Sequence, residues 1–114
     1  MSNATTPYSK SCEASMKLLG DFWTLSIINA LEPSTMRFCE LQRELNNLNP
    51  VTLTSRLKKL EHAGIVARTE LSEGISVNYS LTSLGKEAYS VVKALNRFAT
   101  KSADLHLPSL SHVA

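Results

Sequence analysis

LTSRLKKLEHAGIV, residues 53–66, changes from a helical pattern to an extended one at a glycine. With a rotation of about 100° per residue, Leu53, Leu57 and Leu60 fall on one side of a helix and form an apolar face. Gly64 is typical of the position after a last helical turn, because glycine adopts left-handed backbone readily. The stretch therefore predicts an amphipathic helix that packs on a core and is followed at once by a strand.

The beginning of this helix is indicated by two residues just upstream. Asn49 can accept a hydrogen bond from a first-turn amide, and Pro50 suits the first helical position, where no donor is needed. We therefore predict a helix over about residues 50–63.

The remaining elements follow from apolar periodicity, caps and helix-breaking residues. In chain order we predict a short helix over residues 11–20, a central helix from Asp21 to Pro33, a minimal strand over residues 36–38, a third helix carrying Phe38, Leu41 and Leu45, a hairpin over residues 65–81 with its turn at residues 72–74, and a long last helix capped by Thr82 or Ser83. This order predicts a mainly α chain with a small β-hairpin (α+β), arranged as a winged helix-turn-helix. We expect residues 11–104 to form this domain, residues 1–10 a flexible arm and residues 105–114 a flexible tail.

The side of the fourth helix that points away from the leucines is basic. Between Val51 and Leu60 the sequence holds three cations, Arg56, Lys58 and Lys59, and no anion. Taken alone, such a face is most often simply solvated. As the second helix of a helix-turn-helix it suits the major groove, with small hydroxyl side chains near base edges and cations near phosphates.

Composition and motifs exclude several other classes of protein. No apolar run of ~18 residues is present to cross a membrane, and no secretion signal is evident, so we expect a cytoplasmic protein. The two cysteines and three histidines lack metal-site spacing, so no metal is expected. Phosphate-binding, dinucleotide, nucleophile-elbow and metalloprotease motifs are absent, which argues against an enzyme and against a cofactor.

Several stretches, in order and spacing, resemble the HxlR family of bacterial winged-helix transcriptional regulators, which is akin to MarR regulators. They are CEA at residues 12–14, LLGDFWTL at 18–25, RFCEL at 37–41, NP at 49–50, LTSRLKKLE at 53–61, GIV at 64–66 and YSLTSLG at 79–85. The resemblance covers roughly residues 11–100.

The resemblance implies a homodimer that binds double-stranded operator DNA. It implies that the first and last helices form the dimer, that the fourth helix enters the major groove, and that the hairpin acts as a wing. Two fourth helices about 34 Å apart predict a near-palindromic operator. The residues that the resemblance assigns to DNA binding are Arg37, Arg43, Val51, Thr52, Thr54, Ser55, Arg56, Lys58 and Lys59.

Some assignments stay open at this point. The acidic residues Glu70 and Glu73 argue against a strong contact between the wing and DNA. The alternative function is a winged-helix protein-interaction module without specific DNA binding.

Cys12 is a candidate redox or electrophile sensor by resemblance; the alternative is an unreactive thiol on a dimer helix. We expect Cys39 to pack as a small hydrophobe and Trp23 to pack in the core or dimer. An unidentified small-molecule effector could occupy a pocket lined by Trp23, Phe22 or Tyr89.

Overall fold

The computed structural model describes residues 8–71 and 76–103. Within these ranges the helices are α1 (Lys10–Leu19), α2 (Phe22–Leu31), α3 (Phe38–Glu44), α4 (Pro50–His62) and α5 (Ser83–Lys101), and the strands are β1 (Met36–Arg37), β2 (Val66–Leu71) and β3 (Ser76–Leu81). The element order is that of the predicted winged helix-turn-helix. The hairpin turn at residues 72–74 lies outside the described residues, as do residues 1–7 of the predicted arm and the whole predicted tail.

The sheet has three antiparallel strands in the order β1-β3-β2, whereas the sequence predicted the hairpin and a minimal strand without a pairing partner for that strand. Met36 pairs with Tyr79 and Arg37 pairs with Asn78, so β1 covers the free edge of β3. Phe38 opens α3 instead of extending the strand. The Arg37 backbone N–H donates to the Glu40 carboxylate at 2.8 Å, which closes the first turn of α3.

The turn between α3 and α4 depends on asparagine. Asn46 and Asn47 have φ angles of 60° and 58°, in the left-handed region that asparagine tolerates better than most residues. The Asn49 side chain then accepts the backbone N–H of Val51 at 2.8 Å, which confirms it as the N-cap of α4. Gly64 follows α4 with φ 79°, as predicted.

The core lies beneath α4 and fixes the rotation of that helix. Leu53, Leu57 and Leu60 are buried, which confirms the apolar face read from the sequence. Their neighbours in the core come from α2, α3, the α3–α4 turn, β2 and α5, and include Ile27, Ile28, Leu31, Leu41, Leu45, Leu48, Ile65, Val66, Ala88 and Val92. Because one side of α4 is fixed in this core, the opposite side must face outward.

The last helix has more apolar surface than the described residues 8–71 and 76–103 cover. Its inner side contributes Ala88 and Val92 to the core, whereas Leu84, Val91, Leu95 and Phe98 are between 39% and 57% exposed. These four residues, called here the α5 stripe, follow one another around a single line of the helix.

Cys39 is exposed, so the expectation that it packs in the core is wrong. The physical reason is rotational, since Cys39 lies two residues, or about 200°, from the buried Leu41 on α3. Trp23 is half-buried against the core, as expected, and its ring meets that of Phe22 edge to face at 4.8 Å. No helix in the described part of the chain is long and apolar enough to cross a membrane.

Candidate nucleic-acid interface

The outward side of α4 is a continuous exposed surface at the second position of the helix-turn-helix. Val51 is the most exposed large hydrophobic residue in the described ranges, at 76%. This surface, called here the α4 outer face, consists of Val51, Thr54, Ser55, Lys58, Lys59 and His62, which together with Pro50 line an open concavity of about 830 Å³. Five residues that the resemblance assigned to DNA binding are therefore brought together on one surface.

The charge of the α4 outer face is positive. Lys58 and Lys59 make no ion pair with any residue in the described ranges, and no carboxylate belongs to this face. Threonine and serine hydroxyls lie beside these ammonium groups, and both side chains are short. Such a surface can approach a polyanion closely, offering small hydrogen-bonding groups along one line and free cations beside it.

Arg56, which the resemblance also assigned to DNA binding, contacts a carboxylate and does not line the α4 outer face. Its Nε donates to Asp21 Oδ2 at 2.9 Å and its Nη2 donates to Asp21 Oδ1 at 3.1 Å. The hydrogen bonds from Arg56 hold the pKa of the Asp21 carboxyl well below its usual range, and bonds from Thr24 add to this against the opposing effect of burial. Thr52, also assigned to DNA binding, is half-buried at the flank of α4.

The two arginines beside α3 are exposed but do not line the concavity of the α4 outer face. Arg37 belongs to β1, and Arg43 lies in the last turn of α3. Arg43 shares a smaller surface depression with Glu40 and Glu44. Contact between Arg37 or Arg43 and phosphate therefore stays a prediction.

Arg68 is a basic residue of the wing that sequence reasoning missed. It pairs with the Glu70 carboxylate at 3.2 Å on the exposed side of β2, and hydrogen bonds to Glu70 and Tyr79 raise its pKa. The sequence did contain a signal for this residue, because Arg68 is the sole cation between residues 65 and 81. This pair makes the described part of the wing less acidic than the glutamates alone suggested.

Two further features bear on sensing and effectors. Cys12 is exposed in the first turn of α1, where its backbone N–H donates to the Ser9 hydroxyl at 3.0 Å. Its position is as predicted, and both interpretations of its thiol stay open predictions.

A second cavity, of about 580 Å³, lies between α2 and the α3–α4 turn and is lined by Phe22 and Trp23, without Tyr89. In the parts of the chain that the structure describes, no cluster of acidic, histidine or cysteine side chains could hold a metal ion.

Comparison with known proteins indicates a helix-turn-helix protein over most of the chain. Residues 18–106 match the family model described as HxlR-like helix-turn-helix. An uncharacterized HTH-type transcriptional regulator of Bacillus subtilis, YvaP, is 32% identical over 93 residues, which are 81% of this chain and 86% of that relative.

Solved structures agree. The reduced form of the transcriptional regulator YodB from B. subtilis superposes with a TM-score of 0.73 at 30% identity, covering 81% of this chain and 91% of that one. A MarR-family regulator from Enterococcus faecalis gives a TM-score of 0.74 at 30% identity, covering 90% and 96%.

Proposed function

This chain belongs to the HxlR-like family of helix-turn-helix transcriptional regulators, and from that premise we propose that it acts as a homodimer on a near-palindromic DNA operator. The family is one of regulators and not of enzymes. The α4 outer face is the surface that meets DNA in this proposal. Val51, Thr54 and Ser55 read base edges in the major groove, while Lys58 and Lys59 contact phosphates.

The single observation that carries the proposal is the α4 outer face itself. It is exposed, basic and free of carboxylates, and it lies on a helix whose other side is buried in the core. A helix fixed in this way presents a rigid surface, which lowers the entropy lost when base contacts form. Its small side chains let the backbone approach the groove, as readers in helix-turn-helix proteins do.

The α5 stripe supports the homodimer in this proposal. Leu84, Val91, Leu95 and Phe98 form an apolar surface that the described residues of a single chain leave exposed. Burial of such a stripe against a second copy is favourable at roughly 25 cal/mol for each Å² of apolar surface removed from water. A two-fold axis through this contact would fix the spacing of the two α4 helices, and therefore the spacing of the half-sites.

The proposed function is tested by selection of the protein's preferred duplexes from a random pool at physiological salt, followed by sequencing. We expect enrichment of a near-palindrome with half-sites about ten base pairs apart, centre to centre. A folded, dimeric protein that enriches no sequence would contradict the proposal. That outcome would favour the protein-interaction module, in which the basic face meets an acidic protein.

Lys59→Ala tests the assignment of phosphate contacts. We expect binding to all duplexes to weaken and the slope of log K against log salt to flatten by about one unit, because one fewer counterion is released. The slope is measured by titrating a random and a selected duplex between roughly 50 and 200 mM salt. Lys93→Ala is the matched control, because Lys93 is an exposed lysine of α5 outside the α5 stripe. Equal slopes for Lys59→Ala and the wild type would remove Lys59 from the phosphate contacts.

A further inference from the structure

We infer that Asp21 is a specificity-determining residue, because its ion pair with Arg56 orients α4 and withholds the Arg56 guanidinium from DNA phosphates. This inference rests on the proposed function. It gives Arg56 a different role from the DNA contact that the family resemblance implied, and it gives a role to Asp21, which no sequence argument connected with DNA.

The geometry of the pair is that of an orienting contact. Two roughly parallel bonds of 2.9 and 3.1 Å join the guanidinium fork to the two carboxylate oxygens. Bidentate pairs of this kind fix both distance and direction, unlike a single lysine contact. The partners lie 35 residues apart in the chain, and their side chains are only 27% and 32% exposed. The pair therefore ties the beginning of α2 to the middle of α4.

Asp21 is itself held in place, so the guanidinium is anchored to a rigid point. As the N-cap of α2, its Oδ2 accepts the backbone N–H and the hydroxyl of Thr24, both at 2.9 Å. Thr24 is buried, with 2% of its surface exposed. One carboxylate thus caps α2 and restrains a side chain of the reading helix.

The position of Arg56 on α4 makes this restraint consequential. Arg56 lies three residues before Lys59, which places the two side chains about 60° apart around the helix axis. A released guanidinium could swing from the α2 side towards the phosphates that Lys59 is proposed to contact. Paired with Asp21, it adds little net charge locally and releases no counterion.

The consequence for recognition depends on which part of the DNA each contact reaches. Phosphate contacts strengthen binding to every duplex, whereas base-edge contacts distinguish one sequence from another. An additional arginine on the backbone would therefore raise affinity for random DNA more than it raises preference for the operator. By retaining Arg56, Asp21 keeps recognition dependent on the short side chains of the α4 outer face.

The test compares Asp21→Asn, Arg56→Gln and the double variant with the wild-type full chain on a random duplex and on the selected operator. Asparagine is about as good an N-cap as aspartate, so Asp21→Asn removes the charge and largely preserves the start of α2. We expect Asp21→Asn to steepen the salt slope on random duplex by about one unit and to lower the operator-to-random affinity ratio. Arg56→Gln and the double variant should keep the wild-type slope. Thermal melts establish that each variant is folded.

Four outcomes would overturn the inference. Steepening that persists in the double variant would mean that loss of the carboxylate acts without Arg56. A wild-type slope in Asp21→Asn, or a slope flattened equally by Arg56→Gln and by the double variant, would mean that Asp21 does not withhold Arg56 from phosphate. If the wild type itself bound no duplex, the proposed function would fail first and this inference with it. An operator-binding wild type with an unchanged Asp21→Asn slope overturns this inference alone.

Discussion

Leu95→Lys is expected to convert the protein into a folded monomer with about 100-fold or more weaker binding to the operator. The substitution places an ammonium group within the α5 stripe, where a second copy would have to desolvate it without a partner. Leu95 is 47% exposed in the single chain, so the fold of the monomer does not depend on full burial of this side chain. Loss of the linked second half-site removes an effective-concentration gain that commonly reaches 10²–10⁴, roughly the expected effect.

The design separates dimerisation from charge. Lysine adds positive charge, which on its own would favour DNA, so weaker binding cannot result from repulsion by phosphate. Ser90→Lys adds the same charge at an exposed position of α5 outside the α5 stripe and should leave mass and affinity near wild type. Light scattering gives the oligomeric state and circular dichroism the fold. A Leu95→Lys protein that remains dimeric at micromolar concentration would place the dimer interface elsewhere.

Ser55→Glu is expected to reduce operator affinity by on the order of 100-fold. Ser55 lies near the centre of the α4 outer face, where a carboxylate would meet base edges and the adjacent phosphates and would compete with DNA for Lys58 and Lys59. The protein should stay folded, because this position is exposed and opposite the buried leucines. Ser83→Glu, an identical change at the exposed first residue of α5, is the control and should bind almost normally.

The smaller change Ser55→Ala distinguishes reading from mere proximity. If the hydroxyl contacts a base, its loss should change the order of preference among operator variants while random duplex is bound as before. A uniform decrease for every sequence would contradict a base-reading role for Ser55. Both substitutions are measured by competition between selected and random duplexes at one fixed salt concentration, since affinities at different salt are not comparable.

Much of the candidate interface followed from one helix and simple rotation. The buried leucines of α4 define an inside, so Val51, Ser55, Lys58 and Lys59 are predicted to face outward, with Thr52 and Arg56 at one flank. The same arithmetic applied to α3 would have placed Cys39 opposite Leu41. The expectation of a packed cysteine followed residue type instead of rotation, and it failed for that reason.

Other parts of the site depended on contacts between distant residues. Arg56 has the same flanking rotation on α4 whether its guanidinium reaches phosphate or a carboxylate, so α4 alone could not show its partner. The sequence predicted Asp21 only as the N-cap of α2. In the structure it caps α2 and also pairs with Arg56. Arg68 likewise can donate a hydrogen bond to Tyr79 only when β2 and β3 are paired.

The sequence by itself determined the helix limits, the order of elements and the inward face of α4, because caps, glycine and proline constraints and apolar period act within about four residues. Tertiary structure decided that β1 joins the sheet through Met36 and Tyr79, that Arg56 pairs with Asp21, and which apolar residues of α5 remain exposed. These features depend on the distance and orientation between elements far apart in the chain. Packing of the common core sets those quantities, and no local pattern encodes them.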